Sequence, residues 1–311
     1  MSKQKISVVV ACYNEEETVN DFYQAVTPVM QATKYDYEIL FVNDGSKDKT
    51  GQIMADLASK DAKVKVINFS RNFSQQNGFY CAMHYVTGDA VITIDVDLQD
   101  PVEIIPQMIA KWEEGYEIIH GKRTKRRGES VFKRLTAWIY ARAINKLTGL
   151  NTPTEVGEFK LMDRKVINAL LECKEHNRFL RTLTTWVGFK STCVTFDRPK
   201  RVKGTTKYTF GKLLKLSQNG IFPYSRQPLY VALKFGLVLG ILSDIAFLTF
   251  IVLTCVGISL PLVAWLFPTV SLLAAIIMFE KGISNIYLAL MYDESLNRPQ
   301  YIIDSMINIE E

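Results

Sequence analysis

The sequence predicts an α/β domain built on a mostly parallel sheet, followed by a pair of membrane-spanning helices. Two observations support this class. Short, almost continuously apolar segments alternate with amphipathic ones through the first hundred residues, which is typical of a parallel sheet covered on both faces. Farther along the chain, residues 245–279 contain no charged side chain. The predicted domains are residues 1–228, 229–292 and 293–311, with the first and last on the cytoplasmic side.

The strands and helices of the first domain follow from the spacing of its apolar residues. Residues 5–11 read KISVVVA, which is too apolar for a half-exposed strand and indicates a buried one. Between such runs, apolar residues recur at the three-to-four-residue spacing of a helix. The strands predicted on this basis are residues 5–11, 37–42, 64–69 and 90–94, and the helices are residues 16–33, 48–60 and 75–87.

The second domain is predicted to be a helical hairpin in a membrane. Its four charged residues are Lys234, Asp244, Glu280 and Lys281. Because one crossing takes roughly 20 residues, there is room for helices at 229–257 and 262–289. The alternative is a buried hairpin of a soluble protein, but nothing polar marks a solvent face. Asp244 would lie deep in the membrane, and its charge predicts a homo-oligomer contact through the hairpin.

The basic residues are unevenly distributed. The chain has 37 Lys and Arg against 32 Asp and Glu, and the excess is concentrated at residues 122–134 and 198–215. Both clusters lie on the same side of the hairpin, as expected of a cytoplasmic face. Basic amphipathic helices predicted at 130–146 and 210–222 could lie among lipid headgroups or pack on the domain core, and both alternatives stay open. Neither cluster is interleaved with aromatic residues, which argues against nucleic-acid binding.

Cysteine usage and the amino terminus indicate a reducing compartment. The five cysteines are scattered and show no CxxC spacing, which argues against a disulfide framework and a zinc site. The first apolar run, residues 6–12, is short and is followed at once by acidic residues, so no secretory signal is expected. We therefore expect the first domain at the cytoplasmic face of the plasma membrane.

Polar motifs follow three of the predicted strands. They are Tyr13-Asn14-Glu15, Asp44-Gly45-Ser46 and Asp95-Val96-Asp97. Ligands of parallel sheets bind outside the carboxyl ends of the strands, so the three motifs predict one crevice. Asp95 and Asp97, spaced i, i+2, could hold Mg²⁺ or Mn²⁺ against the phosphates of a nucleotide.

The order and spacing of several motifs resemble family 2 glycosyltransferases, in particular the branch of bactoprenol glucosyltransferases and dolichol-phosphate mannose synthases. Beyond the three motifs above, the resemblance includes Ser70-Arg71-Asn72-Phe73, Leu98-Gln99-Asp100-Pro101, Gly121-Lys122-Arg123, Arg127-Gly128-Glu129-Ser130, Arg178-Phe179-Leu180-Arg181 and Arg298-Pro299-Gln300-Tyr301. It implies a GT-A catalytic domain, which is Rossmann-like with a mostly parallel sheet, and it extends over nearly the whole chain.

The activity implied by this resemblance is inverting, metal-dependent transfer of one sugar from a nucleotide-sugar to a polyprenyl phosphate such as undecaprenyl phosphate. The expected donor is UDP-glucose, and the lipid-linked product would supply cell-envelope glycan modification. GDP-mannose, UDP-N-acetylglucosamine and UDP-galactose stay open as donors. A processive polysaccharide synthase is disfavoured because the chain has no Gln-x-x-Arg-Trp motif. A catalytically silent membrane scaffold is the third alternative.

The resemblance also implies roles for individual residues. The nucleotide-sugar would be held by Tyr13, Glu15, Asp44, Ser46, Asp95, Arg201 and Lys207. The last two lie in a loop, residues 201–208, that resembles a cover over the donor. The acceptor phosphate would be bound by Arg123, Lys133 and Arg178. The metal ligands would be Asp95 and Asp97, and the catalytic residues Glu158 and Asp97.

One departure from the family pattern concerns the predicted catalytic carboxylate. Relatives usually have Gly-Asp-Phe-Arg-Leu where this chain has Gly157-Glu158-Phe159-Lys160-Leu161, so the acid is one methylene longer and the neighbouring Arg is a Lys. We expect retuned geometry, because a phosphate monoester is largely dianionic at neutral pH and does not need a strong base. Glu158 would then orient the acceptor, a sugar hydroxyl or the metal. Thr182, where relatives often have Gly, is expected to alter the acceptor or sugar pocket.

Overall fold

A computed structural model describes residues 4–124, 156–175, 179–197 and 262–309, together with Arg142 and scattered positions between 230 and 257. The chain divides into two compact units, and residues from Arg298 onward belong to the first. The strands are β1 (Lys5–Cys12), β2 (Asp36–Asn43), β3 (Val64–Phe69), β4 (Ala90–Thr93), β5 (Ile118–Arg123), β6 (Val156–Asp163), β7 (Ser191–Phe196) and β8 (Ile303–Ile307). The α-helices are α1 (Val19–Gln31), α2 (Thr50–Lys60), α3 (Gln75–Tyr85), α4 (Ile105–Glu113), α5 (Arg164–Glu172), α6 (Leu180–Trp186) and α7 (Leu262–Leu296), and a 3-10 turn covers Val102–Ile104.

The described strands of the first unit form one sheet in the order β7-β5-β6-β4-β1-β2-β3-β8. Neighbours from β4 to β3 run parallel, and β5 and β7 are also parallel to each other. β6 lies antiparallel between β4 and β5, and β8 is antiparallel to β3 at the outer edge. The predicted α/β class with a mostly parallel sheet is therefore confirmed.

The apolar residues of the predicted strands form the core. Alternate residues of β1 and β2, such as Val8 and Phe41, are fully buried beneath α1, and Phe22 of α1 meets Phe41 edge-on at 6.1 Å between ring centroids. Burying one such side chain stabilises the fold by about 1.5–3 kcal/mol. Both faces of the central strands are covered, which explains why their sequences do not alternate between polar and apolar residues.

The seven strands and helices predicted in the first hundred residues are confirmed, with differences only at their ends. α1 begins at Val19 rather than at residue 16, because the amides of Thr18 and Val19 both donate to the carbonyl of Glu15 in a turn. α2 begins at Thr50, after Asp48 has accepted a hydrogen bond from the Thr50 amide. Residues 16–18 and 48–49 therefore lie in turns after β1 and β2 rather than inside helices.

In the second unit, α7 contains the predicted helix 262–289 and continues to Leu296. Its segment Leu272–Leu296 is long and apolar enough to cross a membrane, and none of it is buried within the protein. The partner helix predicted at 229–257 falls largely outside the described residues, so the structure does not confirm a two-helix hairpin. The amphipathic helices predicted at 130–146 and 210–222 also lie outside the described residues, apart from Arg142.

Candidate active site

The three polar motifs predicted from the sequence follow adjacent strands. β1 lies between β2 and β4, with Asp44 donating its amide to the carbonyl of Cys12 at 2.9 Å and Ile94 donating to Val9 at 3.2 Å. The thiol of Cys12 is close enough to Glu15 and Asp95 for both charges, after burial itself, to raise its pKa. The parallel order of these strands therefore brings the motifs to one edge of the sheet.

Asp95 lies among other carboxylates. Gln75, at the start of α3, donates to its Oδ1 at 2.8 Å. Burial, reinforced by the negative charges of Asp100, Asp97 and Glu158, raises the pKa of Asp95 to about 6. A group of carboxylates that repel one another in this way is a suitable environment for a hard divalent cation. Within the described ranges, no three or more His, Cys, Asp or Glu side chains form a complete ligand set, so a cation here would take further oxygens from a ligand or water.

A tight turn follows Asp95 and Asp97 and is connected to β5 through Arg123. Leu98 has a positive φ of 52°, and Gln99 donates its amide to Oδ1 of Asp97 at 3.2 Å. The next residue, Asp100, is fully buried and accepts two-pronged hydrogen bonds of 3.1–3.2 Å from Arg123. Arg123, predicted to bind the acceptor phosphate, is therefore engaged with a carboxylate of the turn itself.

The predicted catalytic residue Glu158 lies in a buried group of charges. Lys160 approaches its Oε2 to 3.4 Å and Arg181 its Oε1 to 4.0 Å. Burial alone would raise the pKa of Glu158, but Lys160, Arg181 and Gln76 outweigh it and hold the pKa below its usual value. Glu158 is therefore ionised at neutral pH, with two cations beside it.

His120 borders this group from β5, where it lies opposite Lys160. Burial, together with the positive charge of Lys160, lowers the pKa of His120 to about 3, so its ring is neutral. Its Nδ1 and the Nε of Arg181 are buried polar atoms that make no hydrogen bond in the part of the chain that the structure describes.

Asp44 is buried and contacts the loop before α3. Its carboxylate accepts the amides of Phe73 at 2.6 Å and Ser74 at 3.1 Å, while burial raises its pKa. Gly45 follows with φ 65°, and a Cβ there would lie 2.3 Å from the backbone of Arg71, so only glycine fits. Asp44 thus fixes the start of α3, the helix that presents Gln75 to Asp95.

Beside Asp44 lies a cavity of about 750 Å³. Residues that line it include Tyr13, Ser46, Lys47, Arg71, Asp304 and Ser305. Tyr13 is 43% exposed, which leaves its ring available for stacking. Glu15 and Asp44 do not line this cavity. The carboxylate of Glu15 accepts a hydrogen bond from the hydroxyl of Thr18 at 2.8 Å.

Of the eight predicted residues that the structure describes, six therefore lie in two groups. Tyr13 and Ser46 lie at the cavity, while Asp95, Asp97, Arg123 and Glu158 form the charged group. The predicted residues that lie outside the described parts of the chain are Lys133, Arg178, Arg201 and Lys207.

Sequence reasoning gave no role to Gln75, Asp100, Arg181 or Asp304. Asp100 and Arg181 belong to two motifs of the family resemblance, residues 98–101 and 178–181. The position of Asp100 soon after a predicted strand is a signal that could have identified it as a further carboxylate at the sheet edge. Gln75 opens a helix at the carboxyl edge. Asp304 carries no local signal, because its position depends on a strand pairing across more than 230 residues.

Comparison with known proteins gives a consistent result. Residues 7–171 match the family described as Glycosyl transferase family 2. "Uncharacterized glycosyltransferase YkcC" of Bacillus subtilis (strain 168) is 42% identical over 98% of this chain and 94% of the relative. "Prophage bactoprenol glucosyl transferase homolog" of Escherichia coli (strain K12) is 36% identical over 96% of this chain and 98% of the relative. "Bactoprenol glucosyl transferase" of Shigella phage SfX is 36% identical over 97% of this chain and 99% of the relative.

Proposed function

The chain belongs to glycosyl transferase family 2, and from this membership we propose that it transfers one sugar from a nucleotide-sugar to a polyprenyl phosphate. The names of the bactoprenol glucosyl transferases support the acceptor class and favour a glucose donor such as UDP-glucose. GDP-mannose is the alternative donor to be tested first.

The observation that carries this proposal is the pair Asp95 and Asp97 at the carboxyl edge of the sheet, beside the ionised Glu158. Two carboxylates at one sheet edge can share a divalent cation, and they would leave coordination positions for diphosphate oxygens. Mg²⁺ or Mn²⁺ held by Asp95 and Asp97 would neutralise charge on the leaving nucleoside diphosphate.

Donor binding and the displacement itself would depend on the protein's own side chains and on the lipid phosphate. Tyr13 and Ser46 would hold the nucleoside, so that the sugar points toward the charged group. One oxygen of the lipid phosphate would attack the anomeric carbon from the face opposite the nucleotide, the bond from that carbon to the diphosphate oxygen would break, and its electron pair would leave with the nucleoside diphosphate. The configuration at the anomeric carbon is inverted.

Its lowered pKa makes Glu158 a weak base, so it is suited to positioning rather than to proton removal. It is ionised, and an ionised carboxylate can accept hydrogen bonds from a sugar hydroxyl. Lys160 and Arg181 add positive charge on the same side, which favours the incoming phosphate. A dianionic phosphate attacks without a base, so the longer acid at this position is compatible with activity.

Access to a lipid phosphate requires proximity to the membrane. The exposed apolar segment Leu272–Leu296 supports membrane anchoring of the protein. The cytoplasmic placement of the first unit is supported by the basic residues concentrated at 122–134 and 198–215. The two-helix anchor and its homo-oligomer contact remain part of this proposal.

The direct test is to incubate membranes that contain the protein with radiolabelled UDP-sugars or GDP-mannose and undecaprenyl phosphate. We expect labelled monosaccharide-lipid from one donor, and Asp97→Asn should reduce it by at least a hundredfold. Asp56→Asn, which changes an exposed carboxylate on α2, is the matched control and should leave the rate unchanged. The absence of labelled lipid with every donor would contradict the proposal, and long polymer would indicate a processive synthase.

A further inference from the structure

The strand that follows α7 is irregular where it meets the catalytic sheet. On β8, Ser305 pairs with Asn68 of β3, but the next residue of β3, Phe69, pairs with Ile303. Asp304 is therefore an extra residue between two paired positions, which is a β-bulge. A bulge turns a side chain out of the regular alternation of a strand, and such bulges are frequent beside binding sites.

The bulge directs Asp304 to the cavity at the edge of the sheet. Asp304 and Ser305 line this cavity together with Tyr13 and Ser46, which come from the loops after β1 and β2. Asp304 is exposed, and its carboxylate makes no hydrogen bond or ion pair with the residues that the structure describes. It is thus available to a ligand.

A chain of hydrogen bonds connects β8 to the loop after β2. Asn68 donates to the hydroxyl of Ser305 at 3.0 Å, and Asn43 donates to the side-chain oxygen of Asn68 at 2.9 Å. The amide of Ser46 then donates to the side-chain oxygen of Asn43 at 3.0 Å. Three strands are linked in this way, so the position of β8 depends on the same residues that shape the cavity.

Both ends of β8 are also held in place. Before it, the ring of Tyr301 stacks on Phe69 with 5.3 Å between centroids and 11° between planes. After it, the side chain of Asn308 donates to the carbonyl of Val64 at 2.9 Å. The strand is thus anchored on both sides of Asp304, which holds this residue at the cavity.

We propose that Asp304 binds the nucleoside part of the donor and that the chain segment after α7 thereby completes the donor site. An ionised carboxylate only accepts hydrogen bonds, so the ligand must present an N–H or O–H group. Uracil and guanine each carry a ring N–H, and ribose carries hydroxyls. This inference rests on the proposed function, which brings a nucleoside diphosphate to this edge of the sheet.

The test is calorimetric titration of the full-length protein in detergent with UDP and with GDP in the presence of Mn²⁺. Asp304→Ala should weaken binding of the preferred nucleotide about tenfold, as expected for the loss of one hydrogen bond to a charged group. Asp56→Ala removes an exposed carboxylate outside the cavity and should leave the affinity unchanged. N3-methyl-UDP and 2′-deoxy-UDP distinguish a contact with the base from a contact with the ribose. The analogue that lacks the group contacted by Asp304 should bind equally to the wild type and to Asp304→Ala.

A second variant separates a loss of nucleotide affinity from a loss of folding. Asp304→Asn keeps the shape of the side chain and removes its charge, so it should also lose affinity while its thermal unfolding stays at the wild-type temperature. Unchanged affinity in a folded Asp304→Ala or Asp304→Asn variant would overturn the role of Asp304 but would not contradict the proposed sugar transfer. Failure of the wild-type protein to bind either nucleotide would overturn both this inference and the proposed function.

Discussion

Glu158 and Lys160 form an ion pair inside the protein, with 3.4 Å between Oε2 and Nζ. They are two residues apart on β6, so their side chains leave the same face of the sheet. Both residues are buried, and Arg181 supplies a second cation at 4.0 Å from the other carboxylate oxygen. The pair occupies two of the positions at which this chain departs from the usual family pattern, so these two departures are in direct contact with each other.

Removal of Lys160 should destabilise the protein and change its pH dependence. In Lys160→Met, burial would dominate and raise the pKa of Glu158, because the largest favourable charge is lost. Breaking a buried pair in this way typically costs about 3–5 kcal/mol. In the wild type, where the pKa is lowered, the stabilisation by Glu158 is present above its unfolded-state pKa and is lost as pH falls through the folded-state pKa. Thermal unfolding measured from well below pH 4.5 up to pH 8 covers the pH range of both effects, and Glu158→Gln/Lys160→Met should recover part of the loss.

The two departures should also be coupled in catalysis. Glu158→Asp alone shortens the acid by one methylene and withdraws the carboxylate from Lys160 and Arg181. A displacement on the order of 1 Å can lower the rate about a hundredfold. The double variant Glu158→Asp/Lys160→Arg restores the usual family pair, and we expect it to regain at least tenfold over the single variant. Additive losses in kcat, measured in the lipid-transfer assay, would contradict this coupling.

The central part of the fold could be predicted from sequence because its signals are local. Buried parallel strands such as β1 and β2 are recognisable as apolar runs, and the polar residues at their ends must meet at one edge. Tyr13, Ser46, Asp95 and Asp97 were found by this reasoning.

The rest of the site depends on contacts between distant segments. Nothing local shows that Arg123 binds Asp100 or that Arg181 reaches Glu158, since each contact requires a particular side-chain direction. β6 is antiparallel between two other strands, and β8 joins the sheet only after the long apolar helix. Neither placement follows from periodicity, and Asp304 could be found only from the pairing itself.

A separate buried carboxylate should control acid stability. Glu38 is 1% exposed, and although burial favours its neutral form, Lys5, Lys65, Ser7 and the Thr87 amide lower its pKa from 4.5 to about 2. That shift corresponds to about 3 kcal/mol of stabilisation. The stabilisation is fully present above pH 4.5 and is lost as the pH falls toward 2.

Glu38→Gln tests this contribution by thermal unfolding at several pH values. The variant should be less stable than the wild type at pH 7, and the difference should shrink progressively between pH 4.5 and 2. The control is Asp36→Asn, which removes an exposed pair with Lys63 and should change the stability by no more than about 1 kcal/mol. A pH-independent difference for Glu38→Gln would show that packing, rather than charge, explains the effect.

Arg123 can be assigned either to the turn or to the acceptor by comparing stability with kinetics. Asp100 is fully buried, so Arg123→Met would leave its charge without the guanidinium and should lower the free energy of unfolding by about 3–5 kcal/mol. Arg123→Lys should recover little, because an ammonium group cannot make the two-pronged contact. Asp100→Asn/Arg123→Met should be more stable than Arg123→Met alone, since the buried charge that the guanidinium stabilised is then also removed. A residue that mainly bound the acceptor phosphate would instead give normal unfolding and a raised KM for the lipid. Because the same turn fixes Asp97, we expect kcat to fall together with stability.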